Sequence, residues 1–197
     1  MLAKPVNHFL LVIIIVVVSI ALIQFGDPAT IYQENHFLEN LQAATLVAAA
    51  VVFFVAGSAL QLTTRYVAWF FAALSWAFFI REIEIEGLGF PGWVDFFLAG
   101  KGRVIFVTPF LMTLYYVAKH FHHYWQNISA YITSTSGIYL IIAGICMSAG
   151  WPVDKKIIEF DGAIFWEESF ELAGYYFMLV AAFYAPTSLD FTQKNVE

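Results

Sequence analysis

The chain is expected to be an all-α, polytopic transmembrane helical bundle of about six spans, with a short interfacial helix between spans three and four. Three observations lead to that expectation. Of 197 residues, 61% are hydrophobic and only 12% charged, against roughly 25% charged in a globular domain, and the mean hydropathy is +0.74. Six apolar segments, at 9–24, 37–62, 66–85, 102–121, 131–149 and 163–185, reach or approach the roughly 17 to 25 residues that cross a bilayer. Aromatic residues make up 19% of the chain, with 21 Phe, 10 Tyr and 6 Trp, which suits lipid-facing helices carrying Tyr and Trp near the headgroups. Residues 1–197 are expected to form one transmembrane domain.

Taken in order, the first segment follows Lys4 and carries Ser19-Ile20-Ala21 near its end. That pattern also fits a cleaved signal peptide, but a retained anchor is the expectation because no soluble domain follows that would call for export. The second segment opens on Glu34-Asn35-His36 and Glu39-Asn40, and the third closes on Arg81-Glu82-Ile83-Glu84. Between the third and fourth lies Gly87–Arg103, where Pro91 can open a helix and Trp93, Phe96 and Phe97 give it an apolar side, the pattern of a short helix lying at the interface. The fourth span runs into Lys119-His120-Phe121-His122-His123, beside Tyr124 and Trp125, which reads as an aromatic and basic interfacial belt. Gly150 to Lys156 reads as a polar turn, and the sixth span begins within Phe165-Trp166-Glu167-Glu168-Ser169-Phe170-Glu171.

Six spans place both termini on one side. Lys and Arg divide almost evenly between the faces, so they do not set the orientation. The acidic residues do segregate: thirteen of fifteen fall on the face opposite the termini, with only Asp190 and Glu197 on the other. The termini are expected in the cytoplasm and the acidic face in the periplasm. A net charge of −6 leaves no basic stripe to neutralise phosphates, so nucleic acid is excluded as a partner. Cys146 is the single cysteine, so no disulfide forms within the chain.

The polar residues converge on one membrane level. Asn35, Glu39 and Gln42 share a helix face at i, i+4 and i+7, and Glu168, Glu171 and Tyr175 share one at i, i+3 and i+7. Arg81 and Glu84 are three apart. Because alternate spans run in opposite directions, the starts of spans two and six and the end of span three lie on the same side. The uninterrupted apolar run before Arg81, from Tyr66 to Ile80, covers about 22 Å at about 1.5 Å per residue, short of a hydrocarbon core of about 30 Å. Arg81 and Glu82 therefore lie in or at the hydrocarbon, and the same arithmetic on Leu172 to Ala185 places Glu171 there.

Charged groups at that depth must pair, meet water or face the bundle interior. Arg81 is the natural partner, because its planar guanidinium grips a carboxylate with two parallel bonds. One arginine cannot neutralise Glu39, Glu82, Glu84, Glu168 and Glu171 together, even with Lys101 and Arg103 nearby. The polar site expected from sequence is thus Asn35, Glu39, Gln42, Arg81, Glu82, Glu84, Glu168, Glu171 and Tyr175.

This arrangement resembles small polytopic inner-membrane proteins of proteobacteria that carry no assigned function. The resemblance implies a bacterial inner membrane and brings no activity or cofactor with it. The leading expectation is a periplasm-facing site that handles a cation, a proton or a small polar solute, in transport or sensing. Two alternatives stand beside it: an accessory or assembly subunit that docks a membrane partner or a second copy of itself, and a membrane-embedded metal-dependent enzyme. For the last, Glu39, Glu168, Glu171 and His36 form an oxygen-rich candidate ligand set. Gly-x-Ser-x-Gly elbows, His-Glu-x-x-His pairs and phosphate loops are absent.

Overall fold

In the computed structural model the described residues are 37–83, 91–98, 100–155, 157, 158, 160 and 163–189. The first predicted span, together with Asn35, His36 and Glu84, lies outside them. Among the described residues every regular element is a helix: α1 (Phe37–Ser58), α2 (Leu62–Glu82), α3 (Gly92–Leu98), a 3₁₀ turn (Lys101–Arg103), α4 (Val104–Lys119), α5 (Phe121–Ile132), α6 (Thr135–Asp154) and α7 (Ala163–Leu189). Helices dominate because an apolar chain in lipid must satisfy its backbone groups internally.

Local chemistry sets the joints. After Ser58 the backbone turns through Ala59 N–H to the Ala56 carbonyl and Leu60 N–H to the Gly57 carbonyl, and extended Gln61 starts α2. So short a connection makes α1 and α2 antiparallel neighbours. Arg65 then donates to the Leu60 carbonyl at 3.1 Å and lies over the Trp69 ring, while the Trp69 indole donates to the Phe54 carbonyl at 3.2 Å. At the start of α6, Ser134 accepts from the Gly137 N–H at 3.2 Å, the usual service of a serine to orphan helix donors. Buried Ser136 donates to the Ala181 carbonyl at 2.9 Å and ties α6 to α7.

The core sits around α7. Leu46, Ala49 and Phe53 of α1, Ala68 and Ala72 of α2, and Tyr139 and Ala143 of α6 pack against Tyr175, Met178, Ala181, Ala182 and Ala185. Of the apolar stretch of α7, 61% is buried, against 39% in α1 and 28% in α6, so α7 is the central helix and its apolar character on all sides follows from that position. Small residues bring α6 and α7 close: a Cβ on Gly174 would stand 2.7 Å from Met147 Cγ and 3.1 Å from the Ala143 carbonyl. Helices in lipid gain most where such residues let backbones approach.

The expected spans are met in part. Among the described residues three helices, Leu38–Ser58, Thr135–Val153 and Ala163–Leu189, are long and apolar enough to cross a membrane, and a fourth is added if the bent pair Lys101–Lys119 and Phe121–Ile132 counts as one. Helix α2, at the third expected span, is 21 residues long but is not among them. Arg65, Arg81, Glu82 and two threonines dilute its apolar content. The fourth expected span ends at His120, where the chain bends by 94°.

Two further differences follow. Lys119 to Trp125, expected as an aromatic and basic belt, run from the end of α4 into a separate helix, α5. Here Phe121, Tyr124, Trp125 and Ile128 fall on one face and His122, His123, Gln126 and Ser129 on the other. The expected polar turn at Gly150 is instead helical through Asp154, with Pro152 in the last turn of α6. Pro91 behaves as anticipated, its carbonyl accepting from Val94 as α3 begins.

Candidate functional site

Two short hydrogen-bonded groups meet at one end of the bundle. The first joins α1 to α7. Gln42, 0% exposed, donates from Nε2 to Glu168 Oε2 at 2.7 Å and to the Glu168 backbone carbonyl at 3.1 Å. Its own Oε1 is buried with no hydrogen-bond partner. Leaving such an acceptor unpaired costs about 1–3 kcal/mol. Glu168 has no cation partner among the described residues and sits within electrostatic reach of the like charges of Glu171, Glu39 and Glu82.

The second group joins α2 to α7. Arg81, in the last turn of α2, donates from Nε to Glu82 Oε1 at 2.8 Å. From Nη2 it donates to Glu171 Oε1 at 2.8 Å and to the Tyr175 hydroxyl at 3.0 Å. The same hydroxyl donates to Glu82 Oε1 at 2.8 Å, so Tyr175, 1% exposed, is both acceptor and donor and fixes the guanidinium in its plane. The Arg81 side chain is 56% exposed, whereas Glu82 and Glu171 are 11% and 18% exposed. The arginine therefore reaches in from the rim to two carboxylates that lie deeper. A second cation, Arg103, donates to the Ile83 carbonyl at 2.5 Å and closes the open end of α2.

Seven of the nine residues expected at the site, Glu39, Gln42, Arg81, Glu82, Glu168, Glu171 and Tyr175, thus come from three helices to one end of the fold. Asn35 and Glu84 lie outside the described residues, as does His36 of the candidate ligand set. Among the described residues no group of three or more His, Cys, Asp and Glu is arranged to hold a metal ion. Glu168 and Glu171, three apart on α7, divide their roles: Glu171 meets the guanidinium and Glu168 meets an amide.

Helix α6 adds a wall that is not among the residues expected from sequence. A cavity of about 400 Å³ is bounded by Phe78 and Arg81 of α2, Gly144, Met147, Ser148 and Trp151 of α6, and Glu171 and Tyr175 of α7. The four α6 residues follow i, i+3, i+4 and i+7 spacing and so share one face. That periodicity is present in the sequence, but none of the four carries a charge to mark the face as part of a site.

Fold and site together define a polytopic helical membrane protein with a carboxylate and arginine cluster at one end of its bundle. No family model, no curated protein and no solved structure matches this chain.

Proposed function

We propose that this chain is a multi-pass protein of a bacterial inner membrane whose polar site, facing the periplasm, binds a proton or a small cation in the course of transport or sensing. The observation that carries this reading is the Gln42–Glu168 pair. An ionised Glu168 in this position is held by a neutral amide and surrounded by like charge, and Gln42 Oε1 beside it lacks a donor. A proton on the carboxyl, or a cation shared between carboxylate and amide oxygen, relieves both deficits. Arg81 is already committed to Glu82 and Glu171 and supplies neither.

The test uses the purified full chain in detergent, its thermal unfolding followed against pH and against added sodium, potassium, calcium and magnesium. The wild type is expected to show a midpoint that responds to pH or to one of these ions, and Glu168→Gln to lose that response. A response of equal size in Glu168→Gln, or none in the wild type, sinks the reading.

Six spans are retained, with α2 crossing the membrane because Arg81 and Glu82 at its C-terminal end meet Glu171 and Tyr175 of α7. It assigns α5 to the membrane plane. Lys101–Lys119 covers about 28 Å at about 1.5 Å per residue, enough for one crossing, and the 94° bend then turns α5 along the surface with its aromatic face toward lipid, as amphipathic interfacial helices lie. In a Cys146→Ala background, a cysteine replacing Gln126 is expected to react several-fold faster with a membrane-impermeant maleimide than one replacing Trp125. Equal rates contradict the in-plane placement.

A further inference from the structure

The cavity between α2, α6 and α7 has an unusual combination of walls. One side is apolar, made by Phe78, Met147 and Trp151 and by the bare backbone of Gly144, where an added Cβ would meet nothing within 4 Å. The other side is charged in both signs, with the Arg81 guanidinium next to the Glu171 carboxylate. Arg81 uses Nε and Nη2 on Glu82, Glu171 and Tyr175, and its Nη1 has no partner among the described residues. Two N–H donors therefore remain available on the half-exposed guanidinium of a residue that lines the cavity, and Ser148 of α6 lines it as well.

Such a cavity does not suit a simple anion, because Glu171 stands beside the donors, nor a simple cation, because Arg81 does. It suits a ligand that carries both charges. A phosphate accepts from Arg81 Nη1 and Ser148 in the geometry guanidinium favours, and an ammonium is drawn to Glu171 and to the face of Trp151. The position fits as well: Arg81 ends α2, and Trp151, which lines the cavity, is itself exposed on α6, so an apolar tail leaving the cavity would run along the outer surface of α6. We propose that this cavity binds the zwitterionic headgroup of a membrane phospholipid, with the phosphate on Arg81 and Ser148 and the ammonium toward Glu171 and Trp151.

The experiment is native mass spectrometry of the full chain released from detergent micelles, titrated with dioleoyl phosphatidylethanolamine. Dioleoyl phosphatidylglycerol and soluble phosphoethanolamine are titrated in parallel. Phosphatidylethanolamine is expected to be retained about tenfold more tightly than phosphatidylglycerol, a difference of about 1.4 kcal/mol. Gly144→Leu, which fills the cavity without touching any charge, is expected to abolish that preference. Ser148→Ala is expected to weaken retention several-fold and serves as the second variant should the leucine perturb folding. Equal retention of the two lipids, or an unchanged preference in both variants, overturns the proposal; binding of soluble phosphoethanolamine as tight as that of the lipid overturns the lipid assignment. Glu168→Gln is expected to leave lipid retention unchanged, which separates this inference from the proton and cation reading of the Gln42–Glu168 pair.

Discussion

Arg81→Gln is expected to destabilise the folded chain by about 2 kcal/mol, between the 3–5 kcal/mol of breaking a fully buried pair and the 0–1 kcal/mol of an exposed one. The intermediate figure follows from the geometry, since the guanidinium is half exposed while Glu82 and Glu171 are mostly covered. Glutamine cannot reach Glu82, Glu171 and Tyr175 together, so both carboxylates lose the guanidinium and Glu82 keeps the Tyr175 hydroxyl. Unfolding in detergent by titrated sodium dodecyl sulfate measures the loss. The sharper readout is the double variant Arg81→Gln with Glu171→Gln. Removing the stranded charge is expected to recover part of the loss, giving a coupling energy of about 1 kcal/mol. Strict additivity of the two substitutions would show that the pair is a surface contact without energetic weight.

Gly174→Val is expected to cost about 3 kcal/mol, the upper part of the usual range for overfilling a packed interior. A Cβ there already presses on Met147 Cγ at 2.7 Å and on the Ala143 carbonyl at 3.1 Å. The methionine can swing aside, but the carbonyl belongs to the backbone of α6, so α6 and α7 must part. Gly144, on the facing helix and one turn from Met147, is the control, because it borders open space. Gly144→Leu is expected to unfold within about 0.5 kcal/mol of the wild type, the range of substitutions away from packed features. Equal loss at both glycines would contradict the close approach of α6 and α7 at Gly174.

The polar end of the bundle is largely legible in the sequence. Helical spacing alone puts Glu39 with Gln42 and Glu168 with Glu171 and Tyr175, and counting apolar residues from the far end of α2 puts Arg81 at their level. Spacing names the face of a helix and says nothing of which neighbour that face meets. The allocation of partners is therefore open at that level: Arg81 has five candidate carboxylates and takes Glu82 and Glu171, with the Tyr175 hydroxyl bridging Arg81 and Glu82. Glu168, one turn from Glu171, goes to Gln42 instead. Helix α5 is hidden for a different reason. Its i, i+3, i+4, i+7 pattern from Phe121 to Ile128 is as regular as any in the chain, but its histidines and aromatics also match the composition of a membrane-interface belt, and an interfacial helix satisfies both descriptions at once.

By itself the sequence determined that this is a helical membrane protein and where its charged faces begin and end, because hydropathy, helix length and the 3.6-residue period are local properties of the chain. Tertiary structure alone decided that Glu171 is held by arginine and Glu168 by an amide, that α6 supplies an uncharged wall beside them, and that α7 stands at the centre. Those outcomes depend on the rotation of each helix about its own axis, and that rotation is set by contacts far apart in the chain, such as Gly174 against Ala143 and Ser136 against Ala181.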